Sequence, residues 1–232
     1  MVDDLKGRVA LIVGAGAGLS ASIARRFARE GMKIALAARN VDDLAALAGE
    51  TGAMTFAADA ADGAAVKTLF ADVAVRLDHP HAVIFNPSYR IRGPLIDLDP
   101  AQVEKALMVS AYGGFLVAQE AARRMLPRGE GTIIFTGASA SVKGYPLSAP
   151  FAMGKFALRG LAQSIARELA PQGIHVAHVI VDGGIRSAIR VDGGDDHFLD
   201  PDAIAETYLH LLQQHRSAWT FEIEVRPWLE KF

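Results

Sequence analysis

A lysine follows a phenylalanine by four residues in the stretch APFAMGKFAL, residues 149–158. In a helix that spacing puts Phe151 and Lys155 on one face, one turn apart. Phenylalanine has no proton to give, so acid–base chemistry beside Lys155 would need another group. A second stretch, VGAGAGLS, closes the first apolar run of the chain. Gly14, Gly16 and Gly18 let a backbone turn tightly and approach a pyrophosphate, with amides at a helix start facing the phosphates. An ordinary strand-to-helix turn could use the same residues. The second apolar run ends AARN, with Ala38 and Arg39 where dinucleotide sites usually place an acid for the ribose diol. An acid repels a 2′-phosphate, whereas arginine pairs with one. Arg39 therefore points to NADP(H), preferred over NAD(H); its plainer reading is a solvated surface residue. Asp59 ends the third run, where it can accept from an adenine amino group or cap a helix.

Metal chemistry is not expected. His175 and His178 are three apart on a strand-like run, so they face opposite sides. The other histidines show no ligand spacing, and cysteine is absent. VDGGDDHFLD is acidic and contains glycine, but lacks calcium-loop spacing.

Short apolar runs alternate with helical patterns. RVALIVG, KIALAAR, MTFAAD, HAVIFN, GTIIFTG, GIHVAHVIV and WTFEIEV read as strands. Helices are expected from about Leu19 to Glu30, around Val66, Leu69, Phe70 and Val73, from Pro100 to Met125, from Phe151 to Leu169, and over DPDAIAETYLHLLQQH. Strands this continuously apolar belong in a parallel sheet covered on both faces. The expected fold is a single-domain, doubly wound α/β sheet of about seven strands, Rossmann-like, spanning residues 1–232. Ligands bind such sheets at the carboxyl ends of strands, near the switch in strand order. Residues 182–200, with DGG twice and several charges, read as a mobile surface loop that forms the substrate wall from about 183.

The bulk numbers narrow the partners. The chain has 232 residues, 51% hydrophobic and 22% charged, with a net charge of -2. No run of one sign favours nucleic acid or an anionic membrane. MVDDLKGRVALIVG lacks a signal peptide's basic start and cleavage site. No apolar stretch is long enough to span a bilayer. The expected location is cytoplasmic.

Taken in order, these features resemble the short-chain dehydrogenase/reductase family along nearly the whole chain. GAGAGLS resembles the family's G-x-x-x-G-x-G, with Ser20 in place of the last glycine. AAD at 57–59 resembles its strand-three aspartate motif, and Asn86 of NPSY keeps the first residue of N-N-A-G. MVSAYGGF at 108–115 resembles the helix that carries a catalytic asparagine, with Ser110 in that place. IIFTGASAS at 133–141 resembles the catalytic-serine strand; the family's spacing lands on Ala138, with Ser139 next door. FAMGK stands for Y-x-x-x-K. VDGGIRS at 181–187 resembles P-G-x-x-x-T, with Asp182 for the proline and Ser187 for the threonine.

The resemblance implies cofactor contacts at Gly14, Gly16, Ala17, Gly18, Leu19, Arg39, Asp59, Ala60, Asn86, Lys155, Gly183, Ile185 and Ser187. It implies that Lys155 holds the nicotinamide ribose. Phe151, Ser110 and Ala138 become substrate walls. The missing acid has three substitutes within reach of the pattern: Ser139, Tyr145 in the loop before Phe151, and Tyr112 two residues after Ser110. Each tyrosine has a plainer reading, Tyr145 as a packed loop aromatic and Tyr112 as a helix or subunit contact. The implied protein is an NADP-dependent oxidoreductase for a small, fairly apolar carbonyl or alcohol, with an altered proton-transfer site. The rival is an NADP-binding sensor or scaffold without turnover. The family pairs through its two long helices, so a homodimer or homotetramer is implied. Gly113, Gly114, Ala118 and Ala122 would permit close approach there; packing on the chain's own sheet is the alternative use.

Overall fold

The computed structural model describes residues 5–187, 189–191 and 193–230. One sheet of seven strands runs in the order β3-β2-β1-β4-β5-β6-β7. The strands are β1 (Val9–Val13), β2 (Lys33–Ala38), β3 (Met54–Ala57), β4 (Pro80–Phe85), β5 (Gly131–Thr136), β6 (Ile174–Val181) and β7 (Glu222–Val225). Every pairing is parallel. Every residue of β1, β4, β5 and β6 is buried, as parallel strands covered on both faces require.

Helices α1 (Leu19–Arg29), α2 (Ala45–Thr51) and α7 (Pro201–Gln213) cover one face. Their core joins Ile23 and Phe27 to Ile12, Ile84 and Tyr208. Helices α3 (Gly63–Arg76), α4 (Pro100–Leu107), α5 (Gly113–Met125) and α6 (Ala149–Leu169) cover the other. There Phe70 and Val73 meet Phe85, Val117, Phe135 and Leu158. The chain passes from β1 to β2 on one side and returns to β4 on the other. That reversal opens a crevice beyond the carboxyl ends of β1 and β4.

Four departures from the sequence reading have physical causes. The helix expected from 100 to 125 is broken by a π turn at Met108–Tyr112. Just after it, Gly113 lies so close to the chain that a Cβ would sit 2.9 Å from the Ala60 carbonyl. A Cβ on Gly114 would meet Leu158 at 2.5 Å. Those two glycines, expected at a subunit contact, are therefore taken up by packing inside the chain. Helix α6 begins two residues early, at Ala149, because Pro150 suits a helix's first turn. Helix α2 escaped the periodicity because only Leu44 and Leu47 are buried along it and the preceding turn.

The fourth departure is the segment 182–200. Asp182 is buried and paired with Arg226 at 2.8 Å and Lys143 at 3.4 Å. Arg186 N–H donates to the Leu199 carbonyl, and Leu199 N–H to that of Gly184, each at 2.8 Å. Arg186 also pairs with Asp200. The segment expected as a mobile loop is thus stapled at its base.

Candidate active site

The glycine-rich turn sits at the mouth of the crevice. Gly14, at φ +79°, packs so tightly that a Cβ would meet Pro87 N at 2.7 Å. Cβ atoms on Gly16 and Gly18 would meet nothing, leaving that side open. Ser20, which stands in a glycine's place, has a task of its own. Its Oγ donates to the Gly14 carbonyl at 3.0 Å and accepts from Asn86 Nδ2 at 2.7 Å. The serine thereby ties the turn to the end of β4. Helix α1 starts at Gly18 with no side-chain cap and no acidic residue in its first turn. Its first amides are left for an anion.

A cavity of about 650 Å³ runs from this turn past Ala38, Arg39, Asp59 and Ala60 to Asn86 and Tyr89. No carboxylate among the described residues pairs with Arg39. Asp59 Oδ1 accepts from Ala61 N–H at 2.9 Å, while Asp62 caps α3. The capping alternative for Asp59 therefore fails, and Asp59 lines the cavity.

A second cavity, about 380 Å³, adjoins it beyond Asn86. Its wall includes Ala138, Ser139, Tyr145, Phe151, Lys155 and Ile185. Lys155 is 3% exposed and gives one hydrogen bond, to the Thr136 carbonyl at 2.8 Å. An ammonium can give three. Burial pushes Lys155 down to about 8. Thr136 is itself held by the buried Tyr208 hydroxyl, 2.7 Å from its Oγ1. The lysine is thus fixed by one bond, with two donors to spare.

The structure gathers some expected site residues and separates others. Leu19 and Gly183 share the second cavity with Lys155. Gly16, Ala17, Gly18 and Ser187 lie outside the lining of both cavities, the first three on the adjoining turn and the last on the segment after β6. Ser110 is not a wall residue: it is 1% exposed and wedged in the π turn against Gly154, and Tyr89 N–H approaches its Oγ at 3.4 Å. Tyr112 stacks on Phe115 with ring centres 6.1 Å apart, away from both cavities, and is no substitute acid. Tyr145 stays in the wall, with Lys143 Nζ 5.9 Å from its ring centre.

Sequence reasoning missed three features. Ser148 lines the second cavity, is 2% exposed, and its Oγ has no hydrogen-bond partner among the described residues. It precedes α6 without capping it. Arg90 and Arg190 enter the same cavity from loops that match no motif. Beneath the wall lies a buried chain of hydrogen bonds. Arg159 grips Glu222 through two bonds of 2.7 Å, and His178 Nδ1 donates to Glu222 at 2.9 Å. Ser141 Oγ donates to His178 Nε2 at 3.3 Å and accepts from Ala138 N–H at 3.1 Å. Ser141 and His178 are fully buried, so this chain positions the Ala138–Ser139 turn and meets no substrate. Burial lowers the His178 pKa, and the Arg159 hydrogen bond lowers that of Glu222, which fixes neutral histidine against carboxylate.

Among the described residues no group of three His, Cys, Asp or Glu side chains could hold a metal. No helix among them is long and apolar enough to cross a membrane.

Comparison with known proteins agrees with this geometry. The short chain dehydrogenase family model matches residues 8–196, most of the chain, which therefore belongs to that family. A short-chain dehydrogenase from Rhodopseudomonas palustris is 35% identical, with TM-score 0.86 over 96% of this chain and 100% of that one. A metagenomic short-chain oxidoreductase in complex with NADP is 27% identical, with TM-score 0.85 over 98% of this chain and 100% of its own. The (+)-borneol dehydrogenase 1 of Salvia officinalis is 32% identical over 83% of this chain and 74% of its own. The family is one of oxidoreductases that bind nicotinamide cofactors.

Proposed function

We propose that this chain is an NADP-dependent oxidoreductase of a small carbonyl or alcohol, with an altered proton-transfer site. One observation carries the reading: Lys155 is a buried ammonium with a single hydrogen bond, aimed into a cavity continuous with an uncapped helix start. Such a charge is costly unless a ligand completes it. When bound, a nicotinamide nucleotide supplies or accepts the hydride. Gly14, Gly16 and Gly18 and the first amides of α1 hold its pyrophosphate. Arg39 takes the 2′-phosphate, Asp59 the adenine amino group, and Lys155 the nicotinamide ribose. The NADP complex of a 27% identical relative supports this cofactor.

Ser139 and Ser148 carry the hydroxyls that meet the substrate oxygen, and Tyr145 is the wall's phenolic acid. Phe151 shields the reacting face and gives no proton. A general acid contributes ~10²–10⁴-fold, so turnover without the usual one is slow rather than absent. Exposed Phe115 and Leu126 on the α5–α6 side support assembly as a homodimer or homotetramer. Phe151 also favours a second reading, a cofactor-binding sensor without turnover.

Fluorescence titration with NADPH tests the cofactor. Binding is expected, with Lys155→Met weakening it by ~10–100-fold, the loss of one or two charge-assisted hydrogen bonds. No binding to the wild type overturns both readings. Turnover lost in Ser148→Ala or Tyr145→Phe identifies the donor; a wild type silent across aldehydes, ketones and alcohols selects the sensor.

A further inference from the structure

We infer that the second cavity takes an anionic substrate, a carbonyl or alcohol compound bearing a carboxylate or phosphate, gripped by Arg90 and Arg190. This deepens the oxidoreductase reading and rests on it. It also departs from the fairly apolar substrate that the sequence implied. The lining of the cavity holds three cations, Lys155, Arg90 and Arg190, and no acid. Of the nearby carboxylates, Asp182 is engaged by Arg226 and Lys143 and Asp200 by Arg186, while Glu230 Oε2 comes close to Gly183 of the lining and pairs with neither Arg90 nor Arg190. Among the described residues no carboxylate pairs with Arg90 or Arg190.

Arg90 is also held in place. Its guanidinium carbon lies 5.1 Å from the centre of the Phe151 ring. A guanidinium over an aromatic ring is steadied by the ring's negative face. Its N–H fork remains available, and that fork matches the two oxygens of a carboxylate or phosphate. Phe151 thus has a positive role: it is the platform on which the anion's partner rests. Neither arginine lines the cavity of Gly14, Arg39 and Asp59, so neither serves the adenosine half of the cofactor. Lys155 is buried below and bonded to Thr136, which leaves the two arginines to meet what enters from outside.

Matched pairs of ligands test this without turnover. Benzoate is compared with benzamide, and phenyl phosphate with phenol, by their effect on NADPH fluorescence in the loaded protein. At least one anion is expected to bind ~10-fold or more tightly than its neutral twin, and the pair with the larger ratio identifies carboxylate or phosphate as the recognised group. In Arg90→Met the ratio falls toward one while the neutral twin binds as before. Arg90 is exposed, so this variant keeps the fold. Arg92→Met, whose arginine lines neither cavity, keeps the preference. Equal binding of anion and twin to the wild type overturns the inference, as does a preference that survives loss of Arg90 and Arg190 together. Failure to bind NADPH is a separate failure, of the cofactor reading. The same pairs, followed by calorimetry on the cofactor-free protein, then still decide the anion.

Discussion

At the glycine-rich turn, a substitution came with its own repair: Ser20 replaces a glycine and uses its hydroxyl to bind Gly14 and Asn86. Around Phe151, the substitutions came with none of that kind. By the resemblance of motifs, Phe151, Ala138 and Ser110 fall at the places implied for a phenol, a hydroxyl and an amide, and Ser110 is buried in the π turn. The first region works mostly through backbone amides and close approach, which the fold itself supplies. The second depends on functional groups at side-chain tips, and these can change while the backbone stays. On the proposed reading, holding a cofactor and moving a proton are therefore separable properties of this sheet end, and Lys155 serves the first although it sits beside the second.

Phe151→Tyr presses hardest on that separation. If the cavity keeps the family's geometry, the new hydroxyl lands beside Lys155, whose Nζ lies 6.0 Å from the centre of the present ring. Carbonyl reduction is expected to rise ~10²-fold or more, the scale of a positioned general acid. NADPH affinity should stay within about twofold, since that ring is no part of the phosphate-binding turn. Steady-state rates with NADPH and a panel of aldehydes and ketones measure the first, and fluorescence titration the second. No gain would mean that the walls, not only the acid, have been rebuilt.

Arg39 sharpens the comparison from the other side. It is exposed, borders the cavity of Asp59 and Ala60, and has no carboxylate partner among the described residues. Arg39→Ser is expected to weaken NADPH by ~10-fold and to leave NADH unchanged, because only the former carries a 2′-phosphate. Titrating both cofactors into both proteins measures it. Equal weakening of NADPH and NADH would make Arg39 a structural residue and remove the basis for an NADP preference.

What could be read in the sequence divides along the same line. The strand runs and the glycine turn depend on composition and local spacing, so β1 to β7 and the crevice were legible. The π turn was not, because it arises from contacts of Gly113 with Ala60 and of Ser110 with Gly154, far apart in the chain. Ser148 lay outside the helix read from Phe151; the structure shows that it precedes α6, leaves the cap alone and lines the cavity. Arg90 and Arg190 follow no motif and come to line one cavity only through folding. Glu222 looked like one polar residue of an alternating strand, yet it anchors the chain of bonds through His178 to Ala138. Periodicity reports which face a residue occupies; it does not report what waits there.

That buried chain gives the smallest expected effect, and one that separates the two regions by pH. Burial lowers the pKa of His178 and of His175 below the ordinary 6.5. In the unfolded chain both return to that value. Between 6.5 and the lower folded values, the unfolded state binds more protons, so stability falls as pH falls below 6.5 and is flat above it. Glu222 is lowered from 4.5, so its own contribution is lost only at more acid pH. The thermal midpoint should therefore decline from pH 6.5 toward pH 5, and His178→Gln should make that decline shallower, with His175 keeping the remainder. Proton uptake by His178 also removes the acceptor for Ser141, whose hydroxyl supports the Ala138 amide. Mild acid should then loosen ligands of the Phe151 cavity before it touches NADPH affinity at the glycine turn. A decline as steep in His178→Gln as in the wild type would show that folding leaves the pKa of this histidine unchanged. The two regions would then respond to pH together, and the separation argued from Ser20 and Phe151 would hold for chemistry but not for stability.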